Sequence, residues 1–198
     1  TMQISYQWLK EISGVDWPVE EMADRLTLCG TACEYIEATD EHFKNVVVGK
    51  VIALDPVEGA SKIQKATVDL GSEQLTLICG APNVAVGKLV PVATLGAKMA
   101  NGMEIKKVKI RGVESSGMIC SQNELGVSTE ASGIWVLPDD LEVGTPLAEA
   151  LDYKDYMLTF EVTPNRGDSL SAIGIARDIV ALAGVEFKRP EIALNEID

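Results

Sequence analysis

Histidine occurs once in the 198 residues, at His42, and none of the four cysteines, Cys29, Cys33, Cys79 and Cys120, forms a C-x-x-C pair. A zinc site, which gathers Cys and His ligands at short spacings, is therefore not expected. The cysteines suit small buried hydrophobes, and free thiols fit a reducing cytoplasm. No run of ~18 apolar residues occurs, so no transmembrane helix is indicated. The start, Thr1-Met2-Gln3-Ile4-Ser5, has no basic region followed by an apolar run and does not read as a signal peptide. Thr1 ahead of Met2 reads as a residue added by cloning. No G-x-S-x-G elbow or Walker loop is present, and Gly80 and Gly96 stand alone, so no glycine-rich phosphate cradle is expected. His42 lies in an acidic polar stretch and reads as a surface residue. No catalytic residue and no metal ligand is expected in the chain.

What is present is acidic overall but unevenly so. The net charge of -13 argues against nucleic acid, because phosphate contact needs Lys and Arg. Yet residues 45 to 111 hold nine of the 17 basic residues and only five of the 30 acidic ones. The remainder then has eight basic against 25 acidic residues. A basic middle between acidic ends is a partner signal, and it also fits an ordinary solvated sheet face.

The same three-part division appears in the hydrophobic pattern. Ser5 caps a helix with apolar Tyr6, Trp8, Leu9 and Ile12, ended by Gly14. Pro18 suits the first position of a second helix with Met22, Leu26 and Cys29 in its buried stripe and Gly30 as its stop. Glu34 to Ala38 alternates like a strand. Short apolar runs then follow at Val46–Leu54, Ile63–Leu70, Leu75–Cys79, Leu89–Leu95, Met103–Ile110 and Ile134–Leu137, which indicates a sandwich or barrel. Asn101-Gly102 predicts a hairpin turn with positive φ at both positions, and Ser121 to Glu124 a capping box on a short helix. Pro146 to Leu151 reads as a helical turn and Met157 to Val162 as a strand. Asp168 or Ser169 caps a last helix with Leu170, Ile173, Ala176, Ile179, Val180 and Ala183 on one face and Gly184 at its end. The tail from Pro190 to Asp198 lacks periodicity. Neither flank suffices for a core by itself, so the two are expected to pack together with a barrel inserted between them.

Met103-Glu104-Ile105-Lys106-Lys107-Val108-Lys109-Ile110-Arg111 is the most informative stretch. Its apolar residues stay on one face only if Lys106-Lys107 holds an extra residue, so a β-bulge is expected there. Lys107, Lys109 and Arg111 then form an exposed line about 13 Å long, suited to a phosphate backbone. The same pattern fits a solubilising face or lysines guarding an edge strand. In Gly112 to Ser121, Ser115 and its neighbours suit phosphate or sugar contact and Met118 suits packing on a base; a tight turn with Met118 in the core fits equally. Lys62 follows the loop Asp55 to Ser61, either at a binding mouth or merely solvated. Thr163-Pro164-Asn165-Arg166-Gly167-Asp168 precedes a helix, as an anion site or as a turn with its cap.

Val46-Val47-Val48-Gly49-Lys50-Val51, Ile78-Cys79-Gly80-Ala81-Pro82-Asn83, Arg111-Gly112-x-x-Ser115-x-Gly117-Met118-x-Cys120-Ser121 and Glu124-Leu125-Gly126 resemble the tRNA-binding OB domain over about residues 40 to 151. The flanks, Ser5-Tyr6-x-Trp8-Leu9, Thr163-Pro164-Asn165-Arg166-x-Asp168-x-Leu170-Ser171 and Gly174-x-Ala176-Arg177, resemble the N-terminal region of the bacterial phenylalanyl-tRNA synthetase beta subunit.

The resemblance implies an OB-fold, a Greek-key β-barrel of residues 40–151, inserted into a small discontinuous α+β domain of residues 1–39 and 152–198. It implies an ATP- and magnesium-dependent cytoplasmic ligase that joins phenylalanine to its cognate tRNA as an alpha2-beta2 assembly. The synthetic site lies mainly on the alpha subunit. The editing site and magnesium ligands lie in later beta domains, so neither cofactor is expected on this chain. The expected partners are tRNA and the alpha subunit, with no DNA and no membrane. Lys62, Ser115 and Met118 fall on positions linked to RNA contact in the family, beside the basic set Lys107, Lys109 and Arg111. The family's His-Pro-x-Ala-Asp-Lys-Leu loop is altered to Asp55-Pro56-Val57-Glu58-Gly59-Ala60-Ser61-Lys62-Ile63, which keeps the lysine and adds Glu58. A free-standing tRNA-binding protein and a purely structural packing module are the alternatives.

Overall fold

The structure is a computed structural model that describes residues 1–193. Strand β1 (Met2–Ser5) runs directly into helix α1 (Tyr6–Ser13). Ser5 caps α1 as expected, its hydroxyl accepting from the Trp8 amide at 3.0 Å, a contact worth about 1 kcal/mol. Gly14 closes the helix at φ 68°. Tyr6 and Leu9 are buried, but Trp8 is 53% exposed. Helix α2 (Val19–Leu28) starts one residue later than predicted, with Pro18 as its cap. Met22 and Leu26 are buried, whereas Cys29 lies past the helix end and is exposed. Strand β2 (Ala32–Ala38) follows.

The expected strands of the middle region appear as β3 (Val46–Val57), β4 (Ala60–Asp69), β5 (Gln74–Cys79) and β6 (Leu89–Ala93). Pro56 falls beyond the reach of β6, which pairs only with Val46 to Lys50 of β3, so its missing N–H costs no bond on that side. Beyond β6 the sequence reading and the structure part. The run Met103 to Ile110 is not one strand. Glu104 bridges Lys98, Ile105 exchanges backbone bonds with Gly96 and Ala97, and only Val108–Ile110 forms a strand, β7. Asn101-Gly102 makes a turn, but only Gly102 has positive φ, because the Asn101 side chain closes it by accepting from the Met103 amide at 2.9 Å. Strands β8 (Val113–Ser115) and β9 (Met118–Ile119) complete the set. Ser121 and Glu124 make the reciprocal capping bonds, yet the chain there forms turns and no helix. Ile134 to Leu137 is not a strand, although Trp135 and Leu137 donate to the Cys120 and Leu89 carbonyls.

Helix α3 (Leu147–Ala150), strand β10 (Tyr156–Glu161) and helix α4 (Ala172–Ala183) follow. The cap of α4 is Ser171, not Asp168 or Ser169, which lie in a short 3-10 turn. Its buried face is correspondingly Ala172, Ile175, Ala176, Ile179 and Val180, with Leu170 62% exposed and Gly184 closing the helix at φ 69°. Residues 190–193 of the tail have no regular element, and the remainder lies outside the described residues.

The chain divides into two compact units, Thr1–Thr39 with Asp155–Asp198, and Asp40–Lys154. In the first, the antiparallel sheet β1-β10-β2 shares a core with the helices, centred on Leu9, Met22, Leu26, Phe160 and Ile175. The two crossings into the other unit are tied together: the Thr39 amide donates to the Asp155 carbonyl and the Asp155 amide to the Thr39 hydroxyl, each at 3.0 Å. In the second, the antiparallel sheet β5-β4-β3-β6-β9 buries two separate apolar clusters, one around Val51, Val68, Leu77 and Val92, the other around Val46, Leu89, Met99 and Leu147. Gly49 permits this packing, since a Cβ there would lie 2.6 Å from Val92 and 2.7 Å from Val68. The result is mostly antiparallel sheet with few helices. Among the described residues the strand pairing does not close into a ring.

Candidate nucleic-acid interface

Arg111-Gly112 joins β7 to β8 as a two-residue hairpin loop, with φ of 48° and 83° between the paired residues Ile110 and Val113. Those angles are the ones a tight primed turn requires, so the sequence's I′-type turn falls here and not at Asn101-Gly102. At the hairpin tip the Arg111 guanidinium donates through Nη1 to the Gly59 carbonyl at 2.9 Å. The tip therefore lies against the β3–β4 turn, three residues from Lys62.

The expected β-bulge at Lys106-Lys107 is not found: both residues precede β7 and pair with no strand. The apolar residues that were to force it do not share a face. Ile105 is buried against Ala97, while Met103, Val108 and Ile110 are 42%, 46% and 38% exposed. Lys109 stands opposite Glu114 across the hairpin, and Lys107 Nζ lies 2.9 Å from Glu114 Oε2. That exposed pair adds little stability, but it offsets the positive charge of Lys107 just ahead of β7. Lys62 and Lys109 join no ion pair among the described residues.

Ser115 is not on the surface. It is buried, and its hydroxyl accepts from the Ile78 amide at 3.1 Å and donates to the Gly117 carbonyl at 3.0 Å. Gly117 is required beside it, because a Cβ would fall 2.6 Å from the Ala93 carbonyl oxygen. Met118 is half-buried and lines a groove of about 570 Å³ with Gly80, Pro82, Asn101 and Ser121. On the other side of Gly80-Ala81-Pro82, Lys62 lines a second depression of about 480 Å³. The ridge is held by Asn83, whose amide side chain donates to the Ile134 carbonyl and accepts from the Ile134 N–H, both at 2.9 Å. Gly133 leaves room for this clamp, since a Cβ there would sit 2.3 Å from Asn83 Oδ1. Neither residue was singled out from the sequence; the Ala81-Pro82-Asn83 motif was the available signal.

The flank motif Thr163 to Asp168 takes its turn form. Arg166 is held by Asp168, Ser169 and Asp178, and Asp178 also accepts from the Thr31 hydroxyl at 2.9 Å. The hydrogen bond from Arg166 holds the Asp168 carboxyl below the usual carboxylate range, and the two carboxylates raise the guanidinium in turn. Among the described residues, no group of three His, Cys, Asp or Glu side chains is gathered as for a metal ion, and no helix is long and apolar enough to cross a membrane.

A family profile described as "Putative tRNA binding domain" matches residues 46–146. The phenylalanine–tRNA ligase beta subunit of Anaeromyxobacter dehalogenans is 47% identical over 197 residues, and that of Syntrophus aciditrophicus is 43% identical over 195. Each match covers 98% of this chain and 24% of the relative, so the chain spans about a quarter of the length of these curated relatives. Among solved structures, a MetRS related protein from Pyrococcus horikoshii aligns with a TM-score of 0.42 and 24% identity, over 55% of this chain and 94% of that one.

Proposed function

The chain belongs to the tRNA-binding domain family, in the form carried by phenylalanine–tRNA ligase beta subunits, and from this we propose that residues 40–151 are an OB-type barrel giving auxiliary contact to phenylalanine tRNA. The barrel is inserted into a small domain of residues 1–39 and 152–198. Support for closure comes from the approach of the β8–β9 turn to β5, where the Ser115 hydroxyl takes the Ile78 amide. The pairing irregularity around Ile52 in β3 adds the local coiling that closure needs. The proposed RNA surface consists of Lys62, Lys107, Lys109, Arg111 and Met118. Ser115 acts behind it, fixing the Gly117-Met118 turn. The observation that carries this reading is the Arg111–Gly59 bond, which brings the basic hairpin against the β3–β4 turn, three residues before Lys62, which lies in β4 and not in the loop expected from the sequence.

The parent protein is then the beta chain of an alpha2-beta2 cytoplasmic ligase that uses ATP and magnesium. This chain contributes binding and no catalytic group.

The test is fluorescence anisotropy of the chain titrated with phenylalanine tRNA at about 50 and 200 mM salt, beside a Lys107→Ala, Lys109→Ala, Arg111→Ala variant. Affinity should fall as salt rises, and the variant should show the shallower dependence. An unchanged salt dependence would remove the basic hairpin from the site. A second reading, a packing module that never touches RNA, is favoured by the Lys107–Glu114 pair and by Glu58 at the β3–β4 turn. Absence of binding at both salts supports it.

A further inference from the structure

We propose that the cavity between His42, Lys44 and Lys98 is a phosphate-binding subsite, filled in the RNA complex by a backbone phosphodiester beyond the surface described above; its RNA identity rests on the function just proposed. The cavity holds about 400 Å³. In a chain of net charge -13 it collects two lysines and the one histidine, with Glu41 as the only carboxylate in its lining.

The backbone that carries the basic groups is anchored on both sides. Phe43 is buried and stacks on Tyr153 with ring centroids 4.7 Å apart. Asn45 takes positive φ, and its carbonyl accepts from both the amide and the hydroxyl of Thr94. Lys44 is thus an exposed residue between two fixed ones. Lys98 has the same setting between Ala97 and Met99, each 1% exposed, whose backbones pair with Ile105 and Met103. Neither lysine joins an ion pair among the described residues, and Glu104, the cross-strand partner of Lys98, is engaged by Lys106 at 3.2 Å. Two lysines on anchored backbone, neither held in an ion pair among the described residues, with an imidazole and the Asn45 amide beside them, suit an oxyanion that needs charge and several hydrogen bonds.

Its position connects it to the rest. Ala100 and Gly102 line this cavity, and Asn101 between them lines the Met118 groove. The subsite is one turn from that groove, so a strand crossing from Lys62 past Pro82 and Met118 reaches Lys98 next.

Because His42 is the only histidine, its imidazole proton signals form a single set by NMR. These signals should shift when phenylalanine tRNA is added, and a Lys44→Ala, Lys98→Ala variant should lower the salt slope of tRNA binding by about one to two. A Lys44→Arg, Lys98→Arg variant should keep the slope. If the wild-type chain binds tRNA but the alanine variant keeps its slope and His42 does not shift, the subsite is overturned and the function proposed above survives. If tRNA does not bind but inorganic phosphate shifts His42 saturably, and only with both lysines present, the pocket takes a free phosphate and the RNA reading falls. If tRNA does not bind and inorganic phosphate does not move His42, both fall.

Discussion

Ser115 and Ile78 are joined by a hydrogen bond of 3.1 Å in which the buried serine hydroxyl accepts the strand amide. A residue of a type that suits sugar or phosphate contact is thus consumed in fastening the β8–β9 turn to β5. Replacing it by alanine leaves the part-buried Ile78 N–H without its acceptor, at a cost of about 1–3 kcal/mol. Urea unfolding of Ser115→Ala should show that loss, while tRNA affinity of the folded variant should stay within about twofold of wild type. A large loss of affinity without loss of stability would place the hydroxyl on the RNA after all.

Gly174 gives a prediction opposite in sign to helix propensity. Alanine for glycine within a helix normally stabilises by about 1 kcal/mol. A Cβ at Gly174 would lie 1.7 Å from the Asp168 carbonyl oxygen, which is backbone and cannot swing aside. Gly174→Ala should therefore destabilise by about 3 kcal/mol or more, measured as a lower Tm or urea midpoint.

Asp168 sets a pH dependence. Its carboxyl is held below the ordinary range by Arg166, so the folded state binds that proton more weakly than the unfolded chain. Its contribution is complete above the unfolded value of about 3.9 and is lost as pH falls through the lowered folded value. An Asp168→Asn variant should show a flatter decline in stability below about pH 4 than wild type.

The four thiols should differ in reactivity. Cys29 is exposed, whereas burial pushes Cys33 and Cys79 up and Cys120 up to about 12. Since the thiolate is the reacting species, Ellman's reagent at pH 8 should label Cys29 first. Cys79 and Cys120 should remain silent until denaturant is added. Prompt labelling of Cys120 in the folded protein would contradict its burial.

The caps and turns that depend on a few adjacent residues were legible in the sequence. Ser5, Gly14 and Gly184 do what their types predict, and β3 to β6 lie where the apolar runs put them. The errors arose where partners are distant. The bulge at Lys106-Lys107 assumed that Met103 to Ile110 faces one core, but Ile105 packs beside Ala97 and the rest leaves as a hairpin. The cap of α4 moved to Ser171 because Arg166 draws Asp168 into its own bonds. Ser115 looked available because nothing local shows that the Ile78 amide needs it. The motif stretch Ile78 to Asn83 flagged the ridge, but the Asn83 clamp on Ile134 requires the fold.

The mutual bonds of Thr39 and Asp155 have a practical consequence. To the smaller unit, everything from residue 40 to 154 enters and leaves through one stitched doorway. The entropy of closing so long a loop is offset once the inserted unit folds and brings its own ends together. On the division proposed above, replacing residues 40–154 by a two- or three-residue turn should leave β2 and β10 paired, which circular dichroism and the unfolding transition of the shortened chain would check.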